Sequence, residues 1–244
     1  MPSDDAQLLR LLWREEAPSR RGPRQRLTID AVVEAATALA DRDGLDAITM
    51  RSVAGRLGAS AMTIYTYVPG KPELIQLMVD NAYTRMPRSA YGRLGWRRRL
   101  TLVAQDNVDL YAAHPWLVDV TTARPPMGPG VMAKYEHELQ ALTSTDLDDV
   151  RIDDVLSQVL AFAHSAARVA RDAASAAAQS GMADEEWWEQ VGPLLAKVLD
   201  PAIYPTATRI GQAAGEAHGS ALNPDQFYRF GLERLLDGIA AIVP

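Results

Sequence analysis

Cysteine is absent from the 244 residues, which excludes disulfides, thiolate nucleophiles and cysteine-bound metals, and suits a reducing compartment. Lysine is scarce, with only Lys71, Lys134 and Lys197, so arginine carries most of the positive charge. No long uninterrupted apolar run is present. The best candidate, "VLSQVLAFAHSAARVARDAASAAA" at 155–178, contains His164, Arg168, Arg171 and Asp172, too polar for a lipid-facing span. The N-terminal "MPSDDAQ" is acidic where a secretory signal would be basic, so the expectation is a cytoplasmic protein with no membrane contact. Sustained period-two patterns and hairpin dipeptides are nearly missing, while apolar residues recur every three or four positions. This predicts an all-α fold.

Catalytic signatures are missing as well. None of His114, His137, His164 and His218 has an acidic residue three positions earlier, which excludes the Glu-x-x-His pattern of di-metal bundles. "HEL" at 137–139 lacks the second histidine of a helical zinc protease. The expectation is a protein that is not an enzyme, with no metal and no cofactor; an all-α enzyme or a helical scaffold is the alternative.

What is present is an uneven charge distribution. Residues 20–100 hold 14 Arg or Lys against 7 Asp or Glu, and residues 101–244 hold 9 against 20, within a total net charge of −6. A basic first module on an acidic remainder points to an anionic partner, nucleic acid above all, for the first part only.

Helix signals divide that first part finely. Thr28 is a suitable N-cap, with Asp30 in the first turn and Ile29, Val32, Val33, Ala36, Leu39 and Ala40 forming one apolar stripe. Gly44 is placed as a left-handed C-cap. Thr49 caps a short helix to Leu57, Gly58 closes it in a tight turn, and Ser60 caps a third helix of under two turns that runs out at Pro69-Gly70. A fourth opens at "KPELIQLMV". Two short helices joined through a glycine predict a helix-turn-helix. Further on, helices are expected at about 96–114, 130–143, 150–180, 205–218 and 224–242. "SGMADEEWWEQ" and the proline-containing stretch after it are read as a connection.

Residues 59–71, within "LGASAMTIYTYVPGKPELI", contain no acidic group. A helix entering the major groove must present hydroxyls, small apolar groups and cations without a carboxylate field. Ile64 and Val68, four apart, face inward, leaving the positions between them for the groove. "VAGRLGASAMTIYTYVPGKPELI", with "GLDAITMRSVA" before it, resembles the helix-turn-helix of TetR-type transcriptional regulators over about residues 27–80. The resemblance implies DNA contact by Arg51, Ala61, Met62, Thr63, Tyr65, Thr66, Tyr67 and Lys71. Thr63, Tyr65, Tyr67 and Lys71 are assigned to affinity, and Arg51, Ala61, Met62 and Thr66 to base selection. The competing role for the tyrosines, packing between helices, falls to Tyr65 more than to Tyr67.

"AHPW", "ARP" at 123–125 and "FGLERLLDGIA" are similar to the ligand-binding part of the tetracycline-repressor branch. That similarity implies a helical effector-binding and dimerisation domain over 81–244, following a head at 27–80 and an extension at 1–26. A homodimer through 150–180 and 224–242, bound to a palindromic double-stranded operator and released by a small-molecule effector, is the implied assembly. Asn107, Trp116, Arg124, Met127, Phe162, His164 and Arg168 are the expected effector residues. "VTTA" stands where tetracycline repressors carry a metal-binding histidine, so the effector is expected to be something other than tetracycline. In the extension, "AQLLRLLWREE" predicts a short amphipathic helix packed on the body, and Arg20, Arg21, Arg24 and Arg26 form a basic arm suited to phosphates or a minor groove.

Overall fold

The computed structural model describes residues 4–15, 27–120 and 124–243. Eleven α-helices are present among them: α1 (Asp4–Leu12), α2 (Ile29–Asp43), α3 (Met50–Arg56), α4 (Ala61–Tyr65), α5 (Lys71–Arg85), α6 (Trp96–Ala113), α7 (Pro129–Leu139), α8 (Asp149–Ser180), α9 (Asp184–Val198), α10 (Pro205–His218) and α11 (Pro224–Ala240). Single 3-10 turns follow α2 at Leu45–Ala47 and α6 at Pro115–Asp119. The fold is all-α, and no helix among the described residues is long and apolar enough to cross a membrane.

Local chemistry explains the short elements. Thr28 accepts from the Ala31 amide at 3.0 Å, which starts α2. At α3, Thr49 accepts from the Ser52 amide at 3.0 Å while the Ser52 hydroxyl accepts from the Thr49 amide at 2.9 Å, a reciprocal capping box. Ser60 accepts from the Thr63 amide and starts α4. Between α3 and α4 the chain turns at Gly58, φ +62°, where a side chain would be strained. Such caps matter because helices of five to seven residues have few internal hydrogen bonds of their own.

Packing then organises these pieces around two apolar cores. The first gathers α1 to α5 on Val32, Ile48, Val53, Ile64 and Leu77, and continues into the body through Leu110, Trp116 and Ala167. Leu100, Leu142, Val159 and Leu236 belong to the second, beneath α6, α8 and α11. One further tie crosses between the first core's helices and the body: Asp41, near the end of α2, accepts from the Trp116 indole at 2.7 Å and lies 2.7 Å from His114 Nδ1. Within the head itself, Arg85 on α5 pairs with Glu34 on α2.

Four expectations about elements change. Residues 184–198, read as a connection, form α9 despite Pro193 inside it. Three carboxylates in its first turn favour the helix N-terminus, and the missing proline hydrogen bond faces an exposed surface. The helix expected to run to 143 ends at Leu139 and continues as turns. The third helix of the head stops at Tyr65, short of Pro69. Gly44 has φ +79° but ψ 173°, an extended glycine conformation instead of the left-handed helical one, while its amide still donates to Ala40. The N-terminal amphipathic helix is present, with Leu12 1% exposed in the first core. The basic arm Arg20, Arg21, Arg24 and Arg26 lies outside the described residues.

Candidate DNA interface and effector cavity

The outward face of the α3–turn–α4 unit is built by the burial of its opposite face. Ile64 and Val68 are both 0% exposed within the first core, fixing the rotation of α4, which packs on α3. That leaves Met62 at 73% and Tyr65 at 48% exposed, with Arg51 and Thr66 also open to solvent. Ala61 and Thr63 are half-buried. The Thr63 hydroxyl lies 2.9 Å from the Ser60 hydroxyl, and the Thr66 hydroxyl donates to the Thr63 carbonyl at 2.6 Å, so both are engaged within α4. The Lys71 ammonium, assigned to DNA affinity, donates to the Leu45 carbonyl at 3.0 Å.

For the tyrosines the structure gives the packing role to Tyr67, where Tyr65 was expected to take it more. Tyr67 packs half-buried against the first core, whereas Tyr65 stands exposed. After α4 ends at Tyr65 the chain continues as a tight turn in which the Tyr67 and Val68 amides both donate to the Ile64 carbonyl, and this turn carries Tyr67 toward the core.

Behind this head, α6, α7 and α8 line a cavity of about 560 Å³ that opens to solvent beside Met127, Met132 and Tyr135. Asn107 and His164 line it from α6 and α8, and Met127 lines it from the segment leading into α7. The other four expected effector residues are not brought to it. Trp116 is buried in the first core with its indole on Asp41. Phe162 turns toward α11, stacking on Phe227 and Tyr228 with centroids 6.1 Å away in each case. Arg168 is exposed beside Asp172, and Arg124 is exposed outside the cavity. Residues on one long helix point to different partners because successive positions rotate by about 100°.

The cavity's main polar feature was not assigned from sequence. Lys134 donates to Glu138 at 2.8 Å, with side chains only 8% and 3% exposed, and the Asn107 amide donates to the other Glu138 oxygen at 2.6 Å. Both Glu138 oxygens are thus occupied, while Lys134 keeps donors to spare above the Tyr83 ring, 5.2 Å from its centroid. Burial lowers the Lys134 pKa, opposed by the Glu138 charge. It also raises the Tyr83 phenol to about 12 and pushes Tyr111 up, with neighbouring charge adding to both. Lys134 and Glu138 do fall at helical spacing from Val131 and Ala141, but a Lys and a Glu four apart read equally well as a solvated surface pair. On α8, His164 Nε2 lies 3.1 Å from the Val118 carbonyl, which makes that nitrogen the donor.

α7 is joined directly to α5, the helix that follows the exposed face of the head. Asp80 on α5 is 5% exposed, and its carboxylate accepts from the Val131 amide at 2.9 Å at the start of α7. Burial pushes its carboxyl up from the ordinary value, against the Val131 and Gly130 amides and the more distant Arg14 charge. Gly128 and Gly130 let the two backbones meet: a Cβ on Gly130 would lie 2.0 Å from the Asp80 carbonyl oxygen. No group of three or more His, Cys, Asp or Glu among the described residues is placed to hold a metal ion.

A capped helix-turn-helix on an all-helical body with an internal cavity defines a DNA-binding regulator with a place for a small molecule. Residues 32–78 match the family described as bacterial regulatory proteins, tetR family, and residues 88–243 match the tetracyclin repressor-like C-terminal domain. The HTH-type transcriptional repressor DrrR1 of Streptomyces coeruleorubidus is 36% identical over 242 residues, 98% of this chain and 87% of its own. An HTH-type transcriptional repressor of Mycobacterium tuberculosis is 24% identical over 235 residues, covering 94% and 87%. Among solved structures, ActR of Streptomyces coelicolor in complex with actinorhodin superposes with a TM-score of 0.73 at 26% identity, over 90% of this chain and 98% of that one. The chain belongs to the TetR family and is a ligand-responsive, DNA-binding transcriptional repressor.

Proposed function

We propose that the protein acts as a homodimer whose two heads, each within residues 27–80, read the half-sites of a palindromic operator, and that a small molecule in the cavity of residues 81–244 releases them. The observation that carries this reading is the α5–α7 junction. The cavity wall bearing Lys134 and Glu138 begins at the very residues that Asp80 holds to the head. An occupant that moves α7 therefore moves α5, and only a difference in its affinity for the two arrangements drives release. Arg51, Met62, Tyr65 and Thr66 stand on the exposed face for DNA, with Ala61 and Thr63 at its margin. Tyr67 and Lys71 contribute from its flank. For dimerisation, α8 and α11 retain exposed apolar and alanine-rich surface, including Phe230 at 55%.

The cavity chemistry describes the effector. Tyrosine and methionine walls suit a flat, largely apolar molecule, and the spare Lys134 donors select one with an acceptor oxygen on its edge. A carboxylate would meet Glu138, so an uncharged carbonyl or hydroxyl edge fits better. Actinorhodin is the first probe to use, because it occupies a structural relative; tetracycline with magnesium is the negative control. Release of labelled operator by actinorhodin in the wild type, lost in Asn107→Ala with operator affinity unchanged, supports the cavity as effector site. Release that persists undiminished in Asn107→Ala and in Leu160→Trp, which fills the cavity, contradicts it.

For the head, Lys71→Ala is expected to weaken binding to all operators about equally and to reduce the log–log salt slope by about one, the signature of one phosphate contact. An unchanged slope assigns Lys71 to its Leu45 contact alone.

A further inference from the structure

We propose that α1 and the turn after it form a coupling strap, a second mechanical link between the cavity rim and the DNA-reading head. The regulatory use of the strap rests on the cavity being the effector site. Three consecutive residues carry the inference. Leu12 is 1% exposed within the core shared with α2 and α5. Trp13 reaches across 114 positions to donate its indole N–H to the Met127 carbonyl at 2.8 Å, and Met127 lines the cavity. Arg14 sets its guanidinium on Asp30, in the first turn of α2, at 2.9 and 2.7 Å.

Arg14 is also the one non-glycine residue among those described with a positive φ, +52°. L-residues avoid this region, and such conformations persist where surrounding contacts over-determine them. Here the turn lets the guanidinium fold back on the Leu11 and Leu12 carbonyls that end α1 while it reaches Asp30. The Arg14–Asp30 pair is partly exposed and worth little alone in water. Its consequence comes from position: the adjacent residue holds the rim, and the rim leads straight into α7. An occupant that draws the Met127 carbonyl back by about 1 Å breaks the indole hydrogen bond and frees one end of the strap. By linkage, loosening the head end must equally be felt at the rim.

Hydrogen exchange of the full-length protein, read by mass spectrometry, tests this without any ligand. The variants are Trp13→Phe, which keeps an aromatic ring and removes the donor, and Asp30→Asn, which removes the charge that anchors Arg14 on α2 and leaves the Arg14 guanidinium in place near Asp80. Arg10→Gln, exposed on the same helix, is the control. The strap predicts reciprocity. Trp13→Phe speeds exchange of the Ala31–Val33 amides by about threefold, and Asp30→Asn does the same at 128–132, the scale of one partly exposed hydrogen bond. Local packing alone would move only the segment each residue touches, and that result, or an equal effect of Arg10→Gln, overturns the proposal. Reciprocity in a protein whose operator complex ignores cavity variants would instead sink the effector-site reading while leaving the link standing.

Discussion

Glu138→Ala is expected to destabilise the fold by about 3–5 kcal/mol, the cost of leaving a buried charge without its partner. Glu138 is the acceptor for both the Lys134 ammonium and the Asn107 amide, and its side chain is 3% exposed. Its removal strands two donors in a site that water reaches poorly. The loss carries a pH signature. Burial already holds the Lys134 pKa below its ordinary value, and losing the Glu138 charge lowers it further. Between that lowered value and the ordinary lysine range the unfolded chain binds more protons, so stability rises with pH and the deficit of the variant shrinks in alkaline solution. Denaturant titrations across pH provide the check. Pairing Lys134→Met with Glu138→Leu should recover most of the stability, since apolar replacement of a buried pair is often neutral or favourable. The double variant should still fail to respond to an effector that needs the lysine donors. A deficit that is flat with pH, or a double variant as unstable as Glu138→Ala, would show that the pair is solvated in the working protein.

Gly130→Ala has an effect of similar size for a different reason. Its Cβ would sit 2.0 Å from the Asp80 carbonyl oxygen and 2.5 Å from the Thr84 hydroxyl, far inside contact distance, and the first of these is backbone. Asp80 cannot yield without giving up the Val131 amide that it caps. The helices α5 and α7 must separate, at a cost of about 3 kcal/mol or more. For a chain of this length that corresponds to a melting temperature lower by roughly 6–12 °C. Gly211 in α10 is the matched control: a Cβ there meets nothing within 4 Å, so Gly211→Ala should stabilise by about 0.5–1 kcal/mol. Because the same junction carries the cavity's influence to the head, Gly130→Ala should also blunt operator release at temperatures where it remains folded. A variant with wild-type melting and wild-type release would contradict the junction's role.

The head was legible in the sequence because its signals are local. Thr28, Thr49 and Ser60 each bond an amide three residues ahead, and Gly58 turns the chain where only glycine is unstrained. Ile64 and Val68 needed only a helical turn's separation to be placed inward. Tyr65 and Tyr67 were harder, since their order depends on where a five-residue helix stops. The cavity was legible only in part. Asn107 and His164 reach it, but Trp116, Phe162 and Arg168 have the same composition cues and serve other contacts, set by the packing of distant helices. Lys134 and Glu138 at a spacing of four read equally well as a solvated surface pair until α6 and α8 close over them. Asp80 and Trp13 find their partners 51 and 114 positions away, beyond the reach of any local pattern. Proline inside α9 shows the opposite error, a local rule overridden at an exposed surface.

The measurement that bears most directly on the repressor account is fluorescence anisotropy of the wild-type protein on the DNA flanking its own gene, and on sequences selected from a random pool, across a salt series. The account predicts tight binding to a palindrome, selective over random DNA and weakening steeply with salt. It further predicts that Tyr65→Ala, at a side chain exposed on the reading face, reduces affinity while melting temperature stays unchanged. Binding to every selected sequence no stronger than to random DNA, even at low salt, would contradict it.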